Sequence, residues 1–365
     1  MKRICIIYPR ITKYILPVIE GLSEKCDLDF IYSAAAPEEG FGEHQLPQNE
    51  HIRWLPVKLL TPFGKKVGQF QSGLVSYLAH GRPDAVIIFA NPRYISYWLV
   101  LIAGKIMHIP IYSRGHGLYK KVKVSMGYKI LYSTMINLSE KYLCYTDSVR
   151  DTLLPLVKNP DKLAVDYNTQ YNEFPVPPQE KTGQEKGILF IGRLRERCGI
   201  EELIAAVRGL RAGGTFDLDL HIIGDGVLGN WVRERSKDDA WIHYHGMVYE
   251  DRQIQEISRE CRFGVFPGDA GLSVVHMMSL SLPPLTHNYM YTHMGPEPSY
   301  IRSGENGWFY DKLSTTQTLS SVIADLAKIP PAEMQLMQTH AFQTYQKLSD
   351  PPFHERLWSI LNLKI

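Results

Sequence analysis

Four times between residues 187 and 311 a short apolar run ends on a glycine or a charge. GILFIGRLRERCG puts Gly192 and Arg193 at a strand tip, LDLHIIGDG puts Gly224, Asp225 and Gly226 there, and IHYHGMV puts Gly246 there. FGVFPGDAGLSVVH sets Gly271 and Leu272 at the start of a helix that carries His276. Continuous apolar strands of this length, alternating with helices, predict a parallel sheet covered on both faces. In such a sheet ligands bind in the crevice beyond the strand ends. A glycine-flanked helix start adds bare N–H groups and the positive end of a dipole, which suits a phosphate. The stretch therefore predicts a nucleoside diphosphate site.

The same alternation fills the rest of the chain. Strands are predicted at 3–8, 28–32, 52–57, 85–90, 109–113, 142–145 and 163–167, with helices near 12–25, 69–80, 94–107, 122–138 and 147–156. Residues 172–186 (NEFPVPPQEKTGQEK) are polar, rich in proline and without periodicity, so they read as an interdomain linker. Beyond them, strands are predicted at 187–191, 217–223, 241–245, 263–266 and 283–287. Helices follow near 200–212, 227–236, 250–259, 272–280 and 313–328, and residues 331–362 read as helical with a break at Pro351-Pro352. The class is α/β, with two doubly wound domains. A chain of 365 residues also exceeds one comfortable core.

Composition narrows the function. Net charge is only +2, which argues against a nucleic-acid binder. Residues 1–175 hold 21 Lys/Arg against 15 Asp/Glu, a balance of +6, leaving −4 for the rest. The excess gathers at Lys120, Lys121, Lys123 and Lys129, either a solvated helix face or a surface for anionic lipid or a phosphate-bearing acceptor. Five cysteines without a CxxC argue for a reducing compartment and against a disulfide or zinc framework. Met1–Tyr8 reads as a first buried strand rather than a secretory segment. The apolar run 94–112 is interrupted by Lys105 and Pro110, so it reads as a buried helix and then a strand, not a membrane span. Neither a G-x-S-x-G elbow nor a P-loop lysine is present. His243, His245, His287 and His293 lack metal-ligand spacing, although His287 and Asn288 end a strand near the expected site. Asp225 reads as turn chemistry.

Arg193, Arg195 and Arg197 crowd one strand tip, where a guanidinium pairs with a diphosphate bidentately. The segments ILFIGRLRERCGIEELIAAV, LDLHIIGDGVL, IHYHGMV, FPGDAGLSVVHMMSLSLPPLTHN and GPEPSYIRSGENGWFY occur in one order and spacing. In that order they resemble the nucleotide-binding domain of glycosyltransferase family 4, and YSRGHGLYKK and DYNTQYN extend the likeness more loosely into the first half.

The resemblance implies a GT-B fold: an acceptor-side Rossmann-like domain at 1–171, the linker at 172–186, a nucleotide-sugar domain at 187–345, and a C-terminal helix at 346–365 packing back on the first domain. It implies a metal-independent retaining hexosyltransferase without a cofactor. The donor would be a nucleoside diphosphate sugar, and the acceptor a glycan or lipid-diphosphate-linked glycan. A cytoplasmic place at the inner membrane face is implied, in O-antigen, capsule or exopolysaccharide synthesis. By the same likeness Gly192 and Arg193 match the motif that holds the diphosphate, with Arg195 and Arg197 beside them. Gly268, Asp269, Ala270, Gly271, Leu272 and Ser273 match the loop whose N–H groups meet phosphates and sugar. His276 stands where the ribose is held, Gly246 to Val248 where backbone meets the base, His116-Gly117 beside the donor sugar, and Pro296-Glu297 at the final motif. His116, Arg193 and Arg197 are the expected catalytic residues.

Three positions depart from that pattern. Gly268 and His276 stand where many members carry two glutamates, and Cys198 where a lysine is expected. A subgroup with PGxxGLxxxH accounts for the first two. For the third, Arg195 or Arg197 must supply the positive charge that a departing diphosphate needs. A catalytically impaired relative acting as a binding partner is the rival reading, and a nucleotide-sugar epimerase is a weaker one for want of a carboxylate pair.

Overall fold

The computed structural model describes residues 1–33, 46–62, 64, 68–214 and 216–362. Its contacts divide the chain into two units, Met1–Asn168 with Pro351–Ile365, and Thr169–Asp350.

The first unit runs β1 (Arg3–Tyr8), α1 (Leu16–Ser23), β2 (Asp27–Ser33) and β3 (Ile52–Val57), then a small antiparallel pair, β4 (Leu59–Leu60) and β5 (Phe70–Gln71). It continues α2 (Leu74–Gly81), β6 (Ala85–Phe89), α3 (Ile95–Met107), β7 (Ile111–Gly115), α4 (Met126–Leu138), β8 (Lys141–Cys144), α5 (Asp147–Leu153) and β9 (Leu163–Val165). Seven strands pair in parallel in the order β3-β2-β1-β6-β7-β8-β9. Side chains alternate across the sheet. Ile4, Ile6 and Tyr8 enter one core with α1 and a last helix, Phe353–Leu361, whereas Cys5 and Ile7 enter the other with α2, α3 and α4. Apolar residues on both faces are the mark of a strand covered twice.

Local chemistry sets the helix ends. The Ser125 hydroxyl accepts from the Tyr128 N–H and so starts α4 at Met126, four residues later than the periodicity suggests. Thr146 caps α5 in the same way. Pro155 then lies in a 3-10 turn, Leu154–Leu156, where the α-helix was expected to continue. α3 stops at His108 in the left-handed conformation, and Pro110 prevents its resumption.

The second unit runs β10 (Gly187–Ile191), α6 (Ile200–Ala212), β11 (Asp219–Ile223), α7 (Gly229–Asp238), β12 (Ile242–Gly246) and α8 (Asp251–Arg259). It continues β13 (Cys261–Val265), α9 (Ser273–Ser279), β14 (Pro284–His287), β15 (Trp308–Tyr310), α10 (Leu319–Ala327) and α11 (Pro331–Ser349). Its six strands are parallel, in the order β12-β11-β10-β13-β14-β15. α9 packs on α11, and α6 on α10. α10 begins only at Leu319, because Thr318 accepts from the Ser321 N–H.

The segment 172–186, expected as a linker, lies within this second unit. Val176 is buried and its N–H donates to the Ser279 carbonyl at 3.0 Å. The buried Lys181 ammonium donates to the carbonyls of Ser258 and Cys261, and burial lowers its pKa to about 8. The chain crosses between units at Asn168–Thr169 and again at Asp350–Pro351. α11 therefore belongs wholly to the second unit, and only the helix after it, α12 (Phe353–Leu361), belongs to the first.

Candidate active site

The strand order of the second sheet reverses between β10 and β13. The crevice of a doubly wound sheet lies at that switch point, beyond the carboxyl ends of the two strands. Here those ends lead into Gly192–Cys198 and Phe266–Leu272, the two loops that the sequence singled out. The structure thus brings Gly192, Arg193, Arg195, Arg197 and Gly268–Leu272 together, with Ser273 and His276 on the helix that follows.

The two loops are joined along their backbones. The Gly268 N–H donates to the Cys198 carbonyl at 3.1 Å, and the Asp269 N–H to the Arg197 carbonyl at 3.0 Å. The Arg195 guanidinium donates to the Asp269 carbonyl at 2.9 Å, and the Arg197 guanidinium meets the buried Asp269 carboxylate at 2.5 Å. Gly268 is required by this closeness, since a Cβ there would lie 2.0 Å from the Arg197 carbonyl oxygen. Gly224 answers to a similar constraint at the next strand tip: its φ is 132° and a Cβ would lie 1.9 Å from the Gly192 carbonyl oxygen.

A second layer fixes Asp269 and Ala270 from below. The Ala270 N–H donates to His293 Nδ1 at 3.0 Å, which leaves the His293 Nε2–H to donate to the His287 carbonyl at 3.0 Å. The Tyr289 N–H donates to His287 Nδ1 at 3.1 Å, so His287 presents Nε2–H toward Asp269 Oδ1, 3.5 Å away. The two imidazoles stack with centroids 4.0 Å apart. Burial lowers the pKa of both rings, that of His293 to about 3. The Tyr310 hydroxyl donates to the Pro267 carbonyl at 2.8 Å and so anchors the other end of the loop.

So braced, the loop presents three successive donors. Among the described residues none accepts from the N–H groups of Gly271, Leu272 and Ser273. His276 lies one helical turn further on, partly buried, with the Gln170 amide 3.4 Å from its Nδ1. The buried Glu297 carboxylate packs against Gly295 and Gly271, with Oε2 3.7 Å from where a Gly271 Cβ would stand. Arg193 is partly buried, and its stem runs beside Gly226. Gly246 ends the edge strand β12, where its carbonyl accepts from the Gly224 N–H at 2.8 Å, and Val248 lies just beyond it. Cys198 is wholly buried, so its position points into the core and not toward a ligand. Asp225 accepts from the Gly226 N–H at 2.7 Å and from the Tyr244 hydroxyl at 3.1 Å, a turn-holding arrangement.

In the first unit, His116 directly follows β7. Its ring meets Phe89, Tyr119 and Tyr145 edge-on, with Tyr145 nearest at 4.6 Å between centroids. Burial, with the charges of Lys120 and Arg114, lowers its pKa to about 3, so it is a neutral donor and acceptor. It lines a cavity of about 650 Å³ at the ends of β6 and β7, together with Arg93, Lys120, Lys121, Tyr128 and Tyr132. Arg114, two residues earlier, serves the fold. Wholly buried, it pairs with Asp166, donates to the Tyr8 hydroxyl at 2.6 Å and to Asn168 Oδ1 at 2.9 Å, and stacks on Tyr145 and Phe353.

Sequence reasoning missed the part of Asp269 as the loop's central brace, the His287–His293 pair beneath it, and the Tyr310 anchor. The signal for the pair was THN followed by a second TH six residues later, and for Tyr310 the apolar WFY after GENG.

Comparison with known proteins agrees with this fold. Residues 185–328 match the family model described as Glycosyl transferases group 1, so the second unit carries a domain of that type. No curated protein matches the chain by sequence. Among solved structures, the lipopolysaccharide outer core galactosyltransferase WaaB in its apo form is 16% identical, with a TM-score of 0.66 over 99% of both chains. HepE from Anabaena, solved with UDP and glucose, is 14% identical with a TM-score of 0.63 over 100% of both chains. A glycosyltransferase from Rickettsia africae is 13% identical with a TM-score of 0.65 over 99% of this chain and 97% of that one. At these identities the likeness is one of fold: the chain has two Rossmann-like units of GT-B type.

Proposed function

We propose that this chain is a glycosyltransferase that moves a sugar from a nucleoside diphosphate sugar to a glycan acceptor, with retention at the anomeric carbon and without a metal ion. The observation that carries this reading is the row of donors at Gly271, Leu272 and Ser273 at the second sheet's switch point, on a loop hydrogen-bonded to the one that carries Arg193. Successive N–H groups at a loop-to-helix junction with an adjacent guanidinium fit a diphosphate. The group 1 domain match and the UDP in the HepE structure support the same chemistry.

In this reading the bond between the anomeric carbon and the diphosphate oxygen breaks as charge builds on that oxygen. Arg193 and the loop N–H groups stabilise the charge because they are already oriented toward it. An acceptor hydroxyl oxygen bonds to the same face of the carbon, and its proton passes to the departing phosphate. His116, neutral and in the first unit's cavity, hydrogen-bonds hydroxyls without adding charge. Surface polysaccharide synthesis is the setting we assign.

The test is a thermal-shift series with UDP, GDP, dTDP and CMP, followed by turnover of the sugar donor whose nucleotide stabilises the fold. A hydrogen bond to a charged group is worth about 1.5–3 kcal/mol, so Arg193→Ala weakens binding roughly 10- to 100-fold. Unchanged binding and turnover in that variant defeat the assignment.

One observation favours a second reading, an impaired relative that binds without transfer. Arg195 and Arg197 are both engaged by Asp269, and Cys198 is buried. Nucleotide binding with no transfer or hydrolysis across the donor panel selects that reading.

A further inference from the structure

We infer that Gln170 fixes the tautomer of His276, so that the nucleotide site holds the ribose of its donor through one N–H group and does not read the 2′-hydroxyl. A side-chain amide nitrogen only donates. Gln170 Nε2 lies 3.4 Å from His276 Nδ1. Nδ1 is therefore the acceptor, and the proton of the neutral ring lies on Nε2. An imidazole so held offers a donor where a carboxylate would offer only acceptors. The direction of the hydrogen bond at this position is reversed.

Gln170 is held beside His276 by its neighbours in the chain. Two residues on, the buried Asn172 donates from Nδ2 to Ser279 Oγ at 2.7 Å, and its Oδ1 accepts from the Phe174 N–H at 3.0 Å. Ser279 Oγ in turn donates to the His276 carbonyl at 2.7 Å. The Ser279 carbonyl accepts from the Val176 N–H, and the Val176 carbonyl from the Ser281 hydroxyl at 2.6 Å. The segment that carries Gln170 is thus strapped to the turn of α9 that carries His276.

The helix sets the reach of that donor. Helical side chains lean toward the N-terminus, and residues three or four apart share a face. The His276 side chain therefore covers the turn that opens with Leu272 and Ser273. One turn is about 5.4 Å, and in a nucleoside diphosphate such a step leads from the phosphates to the ribose hydroxyls. The glycosyltransferase reading, on which this inference rests, sets the phosphates on the N–H groups of Gly271, Leu272 and Ser273. His276 Nε2–H then meets a ribose oxygen. Two carboxylates of the same loops are committed elsewhere: Asp225 accepts from the Gly226 N–H and the Tyr244 hydroxyl, and Asp269 is paired with Arg197. One neutral donor makes one bond, and a lone 3′-hydroxyl oxygen satisfies it. The donor class is accordingly nucleoside diphosphate sugars built on either ribose or 2′-deoxyribose.

The experiment titrates the full chain with UDP and 2′-deoxy-UDP, and with GDP and 2′-deoxy-GDP. For the base that binds, the two forms differ by less than about tenfold in affinity, the most that one neutral hydrogen bond supplies. In His276→Glu a carboxylate accepts from both hydroxyls, and the deoxy form falls behind by about 10- to 100-fold. Gln170→Leu releases the imidazole to turn an acceptor nitrogen toward the ribose, so the deoxy form weakens against the ribose form by about two- to tenfold. A residue that merely supported the fold would weaken both forms alike, and that result in Gln170→Leu overturns the inference. So does a parent chain that prefers the ribose form by much more than tenfold, although its binding of UDP or GDP leaves the glycosyltransferase reading standing. Absence of binding by every nucleoside diphosphate overturns that reading and this inference with it.

Discussion

The Gly268 N–H donates to the Cys198 carbonyl at 3.1 Å. Two of the three positions at which this chain departs from the family it resembles are therefore bonded to each other. The departures form one local solution: the loop after β10 presses against the loop after β13, so position 268 tolerates no side chain and position 198 turns inward.

Restoring a carboxylate at position 268 is expected to harm the protein. In Gly268→Glu the new Cβ meets backbone at 2.0 Å, where no flexible group can yield. Overpacking of this kind costs about 1–3 kcal/mol. Gly268→Ala meets the same atom and shares most of the loss. Urea midpoints and nucleotide affinity measure the effect, and a Gly268→Glu protein as stable as the parent refutes the close packing.

The Arg197–Asp269 pair contributes little to stability for so short a contact. Arg197 is 68% exposed, and ion pairs with one solvated partner are worth about 0–1 kcal/mol. A double-mutant cycle of Arg197→Ala and Asp269→Asn is expected to give a coupling below about 1 kcal/mol in denaturation. Asp269→Asn alone removes the charge that holds Arg197 while leaving the main-chain carbonyl that Arg195 meets, so its larger effect falls on kcat. A coupling of several kcal/mol in unfolding shows the pair to be structural instead.

The edge of the second sheet carries a pH dependence. His221 Nδ1 lies 3.3 Å from His245 Nε2, and the His221 and His243 rings are 4.7 Å apart. Burial, followed by these neighbours, lowers the His221 pKa to about 4 and also lowers that of His245. Asp219 answers part of the charge, 3.1 Å from His243 Nε2, and Glu260 lies 3.9 Å from His221. A lowered histidine pKa means that the unfolded chain binds protons first. Stability is therefore full above about pH 6.5 and falls as pH drops toward 4, by on the order of 3 kcal/mol for His221. Carboxylates held below their usual pKa lose their contribution only under still more acid conditions. Urea midpoints at pH 7.5 and 5 should differ, and His221→Asn should flatten the difference; a parallel slope in that variant removes His221 as its source.

Arg114 is a different case from Arg197, because its charge has no water to return to. Arg114→Ala leaves the Asp166 carboxylate buried and unpaired, at about 3–5 kcal/mol. Replacing both, Arg114→Met with Asp166→Leu, is expected to recover much of that loss. Thermal unfolding with an N-terminal-unit probe such as Trp54 fluorescence follows it, and a double variant less stable than the single one contradicts the argument.

The sheets were legible because their strands are buried twice. ICIIY, after the leading Arg3, and AVIIF are continuously apolar, the pattern of a strand covered on both faces. β15 was not read because WFY is three residues long. The start of α10 was placed six residues early, since the capping threonine lies inside a run of polar residues that any turn could use. At the site, glycines and arginines declared themselves by their place at strand tips. The Asp269 brace did not, since its partners His287 and His293 come from a separate loop, and only the folded backbone sets them beneath it.

α12 closes the face of the first sheet that holds Ile4, Ile6, Phe30 and Ile87. The Tyr112 hydroxyl bonds the Leu361 carbonyl at 2.9 Å, and Arg356 donates to the carbonyls of Asp166 and Tyr167. During synthesis, therefore, the unit made first is completed last. The second unit is one unbroken span and can mature as it emerges from the ribosome. The first must wait, one apolar face uncovered, until residue 361 has been added.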